Sequence, residues 1–105
     1  MTCSVVQNGS ATATITVAGP VDTGDLPVLQ QQLHTVVDQA YRSVTVDIRS
    51  VPHTNPAIVP VLLEAGRRFA HTGSILGVQT HDGVIARMLH VLAPTQLVVV
   101  QREEG

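Results

Sequence analysis

The most constraining stretch of this chain is Ser43–Ile48, SVTVDI. It is short and rich in β-branched residues, so it reads as a strand. On either side lie longer segments whose apolar residues recur every three or four positions. Leu26, Leu29, Leu33, Val36, Val37 and Ala40 mark one amphipathic helix within Leu26–Tyr41. Ile58, Val61, Leu62, Ala65 and Phe69 mark a second, running from Asn55 or Pro56 to His71. A strand held between two helices requires crossover connections, which belong to a parallel or mixed sheet with helices packed against it.

The rest of the chain extends the alternation. Cys3–Gln7 reads as a strand, Asn8-Gly9-Ser10 as a hairpin turn, and Ala11–Ala18 as a half-buried strand in which threonines alternate with apolar residues. Gly19-Pro20-Val21-Asp22 breaks that strand; Thr23 or Asp25 is placed to cap the first helix, and Pro27 is tolerated in its first turn. Gly73 ends the second helix, and Ser74–Gln79 follows as a strand. Thr80 or Asp82 caps a third helix with Ile85, Met88, Leu89 and Leu92 inward, stopped by Ala93-Pro94. Gln96–Val100 is a last strand and Arg102–Gly105 a solvated tail. The expected architecture is an α/β fold of order β-β-α-β-α-β-α-β: a mixed, mainly parallel sheet of about five strands in one domain over residues 1–105.

Composition narrows the function classes. The net charge is −2, every basic residue other than histidine is arginine, and Tyr41 and Phe69 are the only aromatics. That is no electrostatic footprint or stacking platform for nucleic acid. No apolar run approaches the ~20 residues of a membrane span, and the N-terminal decapeptide lacks the pattern of a signal peptide, so the expected compartment is the cytoplasm. Cys3 has no internal disulfide partner. His34, His53, His71, His81 and His90 are dispersed and make no metal-ligand spacing, although His53 and His81 both follow strands. No phosphate-cradling loop or nucleophile elbow occurs. Neither a catalytic centre nor a cofactor is therefore expected.

Three segments resemble, in order, the STAS domain of bacterial anti-sigma factor antagonists. GPVD at 19–22 resembles the family's Gly-x-Leu-Asp after its second strand. VTVDIRSV at 44–51 resembles the strand and turn before its phosphorylation loop, and VQTHDGVIARMLHVL at 78–92 resembles its third helix. The family motif Asp-Ser/Thr-Ser/Thr-Gly then falls, without gaps, on Asn55, Pro56, Ala57 and Ile58. The second hydroxyl, which the anti-sigma kinase phosphorylates in the family, is Ala57 here. The resemblance implies a non-enzymatic module that binds a kinase-like anti-sigma factor, releases a sigma factor, and lacks the usual phosphorylation switch. The partner-binding residues it implies are Asp22, Thr23, His53, Thr54, Asn55, Pro56, Ala57, Val59 and Leu63. Thr54, Thr23 and Cys3 are the candidate positions for another switch, and the alternative for each threonine is a capping hydroxyl or turn hydrogen bond beside a helix start.

The same turn has a purely structural explanation. Asparagine is a good N-cap and proline suits the first helical position. Pro60 distorts the first turn or delays the regular helix. The helix also carries a second apolar stripe, Val59, Leu63, Gly66 and Ala70, which either packs on a neighbouring helix or leaves Val59 and Leu63 exposed for docking. A second functional reading is a small-molecule sensor that receives an anion or polar ligand at this helix N-terminus.

Overall fold

The computed structural model describes residues 1–52, 55–92 and 98–102. Its strands are β1 (Thr2–Gln7), β2 (Thr12–Ala18), β3 (Ser43–Ser50), β4 (Ile75–Thr80) and β5 (Val98–Arg102). Its helices are α1 (Leu26–Asp38), α2 (Ile58–His71) and α3 (Gly83–Leu92), with a single 3-10 turn at Thr23–Asp25 before α1. The strands form one sheet in the order β1-β2-β3-β4-β5. The first pair is antiparallel and the other three are parallel.

This topology decides where the helices lie. Each crossover from β2 onward steps to the next strand in the same direction. Crossovers of one hand, repeated in one direction, place their helices on the same face of the sheet. The burial pattern agrees. Ala13, Ile15, Val17, Val44, Val46, Ile48, Leu76, Val78 and Thr80 are buried beneath the helices, whereas Thr14, Thr16, Thr45, Asp47 and Gln79 on the other face stay partly accessible. Leu29, Leu33 and Val36 of α1 and Ile58, Leu62, Ala65 and Phe69 of α2 complete the core.

Several boundaries differ from the sequence expectation. The Asn8-Gly9 pair does not form a two-residue hairpin turn. Neither residue has positive φ, and the loop closes one step wider, with the Asn8 N–H donating to the Thr12 carbonyl at 2.9 Å. The Asn8 side-chain amide donates to the Thr14 hydroxyl, which holds the asparagine in this wider turn. In α3, Ile85, Ala86 and Leu89 are buried, but Met88 is only half-buried and Leu92 is 56% exposed. The helix carries a broader apolar arc than the sheet covers. The stop at Ala93-Pro94 and the tail after Arg102 lie outside the described residues, while Arg102 itself belongs to β5.

α1 ends three residues before Tyr41, and Ala40 after it takes φ +59°. An L-residue in that left-handed region is unfavourable by about 1–2 kcal/mol, part of which glycine returns as unfolded-state entropy. Ala40→Gly is therefore expected to raise the urea midpoint, by about 0.5–1 kcal/mol of stability; an unchanged or lower midpoint would mean that the backbone is not strained there.

Candidate functional site

Parallel strands bring the connections at their C-terminal ends to one edge of the sheet. Three begin there: residues 19–25 after β2, Val51-Pro52 after β3, and His81-Asp82 after β4, with the described turn Asn55–Ala57 leading from the second into α2. Gly19 turns the chain off β2 at φ +79°, a region glycine enters without penalty, and its N–H donates to the Ser50 carbonyl at 3.2 Å. That bond ties the first connection to the end of β3. Val21 anchors the loop in the core. Asp22 and Thr23 are exposed beyond it. The Asp25 carboxylate accepts from the Asp22 N–H at 2.9 Å, so Asp25 stabilises the loop, and Thr23 opens the 3-10 turn.

The turn before α2 was expected to start a helix at Asn55 or Pro56. The regular helix instead begins at Ile58. Asn55 caps a preceding turn: its side-chain oxygen accepts from the Ala57 N–H at 3.0 Å, and its carbonyl accepts from the Ile58 N–H at 2.9 Å. The Pro56 carbonyl accepts from the Val59 N–H at 3.0 Å. The late start relieves Pro60, which now falls in the first turn, where its missing N–H has no intrahelical partner to lose. Pro56 and Ala57 are exposed and Asn55 half-buried. His53 and Thr54 lie outside the described residues.

The same bonds leave the start of α2 without free donors. Residues 56–60 contribute two prolines and three N–H groups, and all three N–H groups are bonded within the turn. An anion at a helix N-terminus needs such groups free, so this end of α2 does not supply an anion cradle.

Val59 is not an exposed docking residue. It is only 1% exposed, because the broad apolar arc of α2 packs on the sheet and on both neighbouring helices. Leu63 is half-buried. It lies in an open cleft of about 440 Å³ between α2 and α3, with Pro56, Val59, Pro60, Arg67, Met88 and Leu92. Met88 and Leu92 are the site residues that helical periodicity misplaces, since it assigns both to the core.

A smaller notch of about 290 Å³ lies between the β3 and β4 connections, bounded by Arg49, Val51, Pro52, Thr80, His81 and Asp82. Asp82 caps α3, its carboxylate accepting from the Val84 and Ile85 N–H groups at 2.9 and 3.3 Å. Beside the notch, Arg49 grips Asp47 through both carboxylate oxygens, at 3.0 and 2.9 Å. Arg49's hydrogen bond holds the Asp47 carboxyl below the ordinary carboxylate range, against the opposing effect of partial burial. A lowered folded pKa means that the pair stabilises fully above the unfolded value and loses its contribution as pH falls through the folded one. Wild type is expected to exceed Asp47→Asn in stability by up to about 1 kcal/mol at neutral pH, and the gap should close as pH falls below about 4. Urea midpoints across that range would show it, and a gap that widened in acid would contradict the pairing. Elsewhere, burial pushes the Cys3 thiol pKa up, which disfavours the reactive thiolate a redox switch requires. No group of three or more potential metal ligands occurs among the described residues. Among the same residues, no helix is long and apolar enough to cross a membrane.

One sheet with a leading antiparallel strand, three parallel strand pairs joined through helical crossovers and a core buried beneath those helices is a STAS-type fold. The chain belongs to the family described as Mlab, STAS domain, which matches residues 4–99. Among solved structures it is similar to the anti-sigma factor antagonist SpoIIAA in its unphosphorylated form, with a TM-score of 0.78 and 10% identity over 98% of this chain and 90% of that one. It is also similar to the Bacillus cell-fate determinant SpoIIAA in the phosphorylated form (TM-score 0.76, 11% identity, 97% and 93% of the two chains). An anti-sigma factor antagonist from Mycobacterium paratuberculosis shares the fold at a TM-score of 0.74 and 19% identity, over 93% of this chain and 84% of that one. At these identities the likeness is one of fold. No curated protein matches the sequence.

Proposed function

We propose that this chain is a non-enzymatic regulatory module that binds a kinase-like anti-sigma factor and so releases a sigma factor, with no phosphorylation switch at the turn before α2. The observation that carries this reading is Ala57. It is exposed on the turn where the family resemblance puts the phosphate acceptor, and its side chain cannot be phosphorylated. Asp22, Thr23, Asn55, Pro56 and Ala57 form the accessible part of the partner surface, which also takes in His53 and Thr54, the two residues before Asn55 in sequence. Leu63 contributes through the adjoining cleft, and Val59 supports that cleft from below.

Affinity capture from cells of the source organism tests the reading. Recovery of a kinase-like anti-sigma factor, identified by mass spectrometry, is the expected result. Capture that returns no such protein, although the factor is present in the lysate, overturns it.

The cleft keeps a second reading in view. Its volume lies within the ~300–1,000 Å³ of small-molecule sites, and its apolar walls meet one arginine, Arg67. A metabolite sensor would use this cleft and not the start of α2, whose donors are consumed. A saturable thermal shift with an apolar carboxylate, lost in Arg67→Ala, would favour it.

A further inference from the structure

The first 21 residues contain no Asp, Glu, Lys, Arg or His. They include β1, which stands at the end of the sheet order and pairs only with β2 among the described residues. An open edge strand is a template for pairing, and edges that must stay single are usually blunted by a charge, a proline or a bulge. β1 has none of these: its sequence is TCSVVQ, and its register with β2 is continuous from Thr2↔Ala18 to Gln7↔Ala13. Val5 and Val6 are 41% and 53% exposed on its two faces.

The hydrogen-bond register says which groups are open. Asn8 donates to Thr12, which extends the same ladder by one step as a hydrogen-bonded pair. Such pairs alternate along an antiparallel ladder. Thr2, Ser4 and Val6 therefore turn their backbone groups toward β2, and Cys3, Val5 and Gln7 turn theirs to the open edge.

We propose that β1 is a pairing edge for a second copy of this chain, the two β1 strands running antiparallel about a two-fold axis at Ser4. In that register Cys3 lies opposite the partner's Val5, and Val5 opposite the partner's Cys3. Every outward backbone group of these residues is then met by another outward group. Thr2 lies opposite the partner's Val6, a β-branched cross-strand pair. The axis stands perpendicular to the sheet, so both sets of helices stay on one face and the apolar side of β1 continues into that of the partner. Two like copies meet without side-chain charge repulsion, because no side chain of the hairpin is charged and the Met1 ammonium lies 3.9 Å from the Asp25 carboxylate of its own chain. The pairing of one short edge buries less than the ~1,200 Å² of a stable specific interface, which makes the dimer a reversible one.

Two measurements on the full chain decide this. Sedimentation equilibrium at concentrations up to about 1 mM, enough to put roughly half the chains in a dimer with a Kd of that order, is expected to give a weight-average mass that rises with concentration to about 1.5 times the 11.1 kDa of the chain. Val5→Lys should return it to the monomer mass with an unchanged circular dichroism spectrum. Independently, Cys3→Ala/Ser4→Cys leaves one thiol on the two-fold axis. Its Cα atoms in the dimer would stand about 4.5 Å apart, within disulfide reach. Mild oxidation should cross-link it rapidly, while Cys3→Ala/Gln7→Cys, whose thiols would lie about 20 Å apart, should not cross-link. A wild-type chain that stays monomeric at the highest concentration overturns the proposal. So does cross-linking no faster at position 4 than at position 7. Neither readout depends on the anti-sigma factor, so the two proposals stand or fall separately.

Discussion

Phe69→Ala is expected to lower the melting temperature by at least about 12 °C. Phe69 is 1% exposed and is the largest of the fully buried side chains. Truncating a buried phenylalanine costs roughly 3–5 kcal/mol, because the lost transfer energy is joined by that of the cavity left behind. A domain of this size gives about 4–8 °C per kcal/mol. The position leaves little room for collapse. Phe69 lies near the C-terminus of α2, and its carbonyl accepts from the Thr72 and Ser74 N–H groups at 3.1 and 2.8 Å and from the Thr72 hydroxyl at 2.9 Å. The backbone at the helix end is therefore held while the side chain is removed. The contrast is Val84→Ala on α3, 66% exposed, which should change stability by no more than about 0.5 kcal/mol. Calorimetry on both variants gives the comparison. Equal effects would mean that α2 does not pack as described.

The second large effect concerns binding. Ala57→Glu is expected to weaken association with the anti-sigma factor by about 100-fold or more while slightly stabilising the fold. The carboxylate would imitate the charge a phosphate brings to the family's turn. An unpaired charge carried into a protein interface costs several kcal/mol, and each 1.4 kcal/mol is tenfold in Kd. The fold itself gains from the change, since a negative side chain just before a helix complements the macrodipole by about 0.3–1 kcal/mol. Opposite signs for binding and stability separate this result from simple unfolding. Leu63→Asp is a poorer probe, because Leu63 also packs against the core. Isothermal titration beside a thermal melt gives both numbers. Undiminished affinity would remove the turn from the interface.

The strands and helices were legible because their periods are clear. Thr12, Thr14 and Thr16 alternate with Ala13, Ile15 and Val17, and the structure buries the second set. The family resemblance was legible from the order of three weak segments, none of them specific alone. What periodicity could not supply was the depth of each flank. Val59 and Leu63 share one stripe on α2, yet the first is buried and the second half-open, because a stripe does not say how closely a neighbouring helix approaches. The same limit misplaced Met88 and Leu92. The turn before α2 was legible in composition but not in geometry. Asn-Pro-Ala signals a helix start, yet the pairing of three N–H groups within the turn depends on Pro60 pushing the regular helix back to Ile58. That consequence bears on function, since it takes the helix N-terminus out of service as an anion site.

The proposed surface binds its partner without a phosphoryl switch. The most direct measurement is the Kd of the wild-type chain for the captured anti-sigma factor, before and after incubation of the two proteins with ATP and magnesium. The same Kd within about twofold and no mass increase on the wild-type chain are expected. A Kd that rises by about tenfold or more, together with the mass of one added phosphoryl group, would contradict that expectation and return the switch to a hydroxyl such as Thr54 or Thr23.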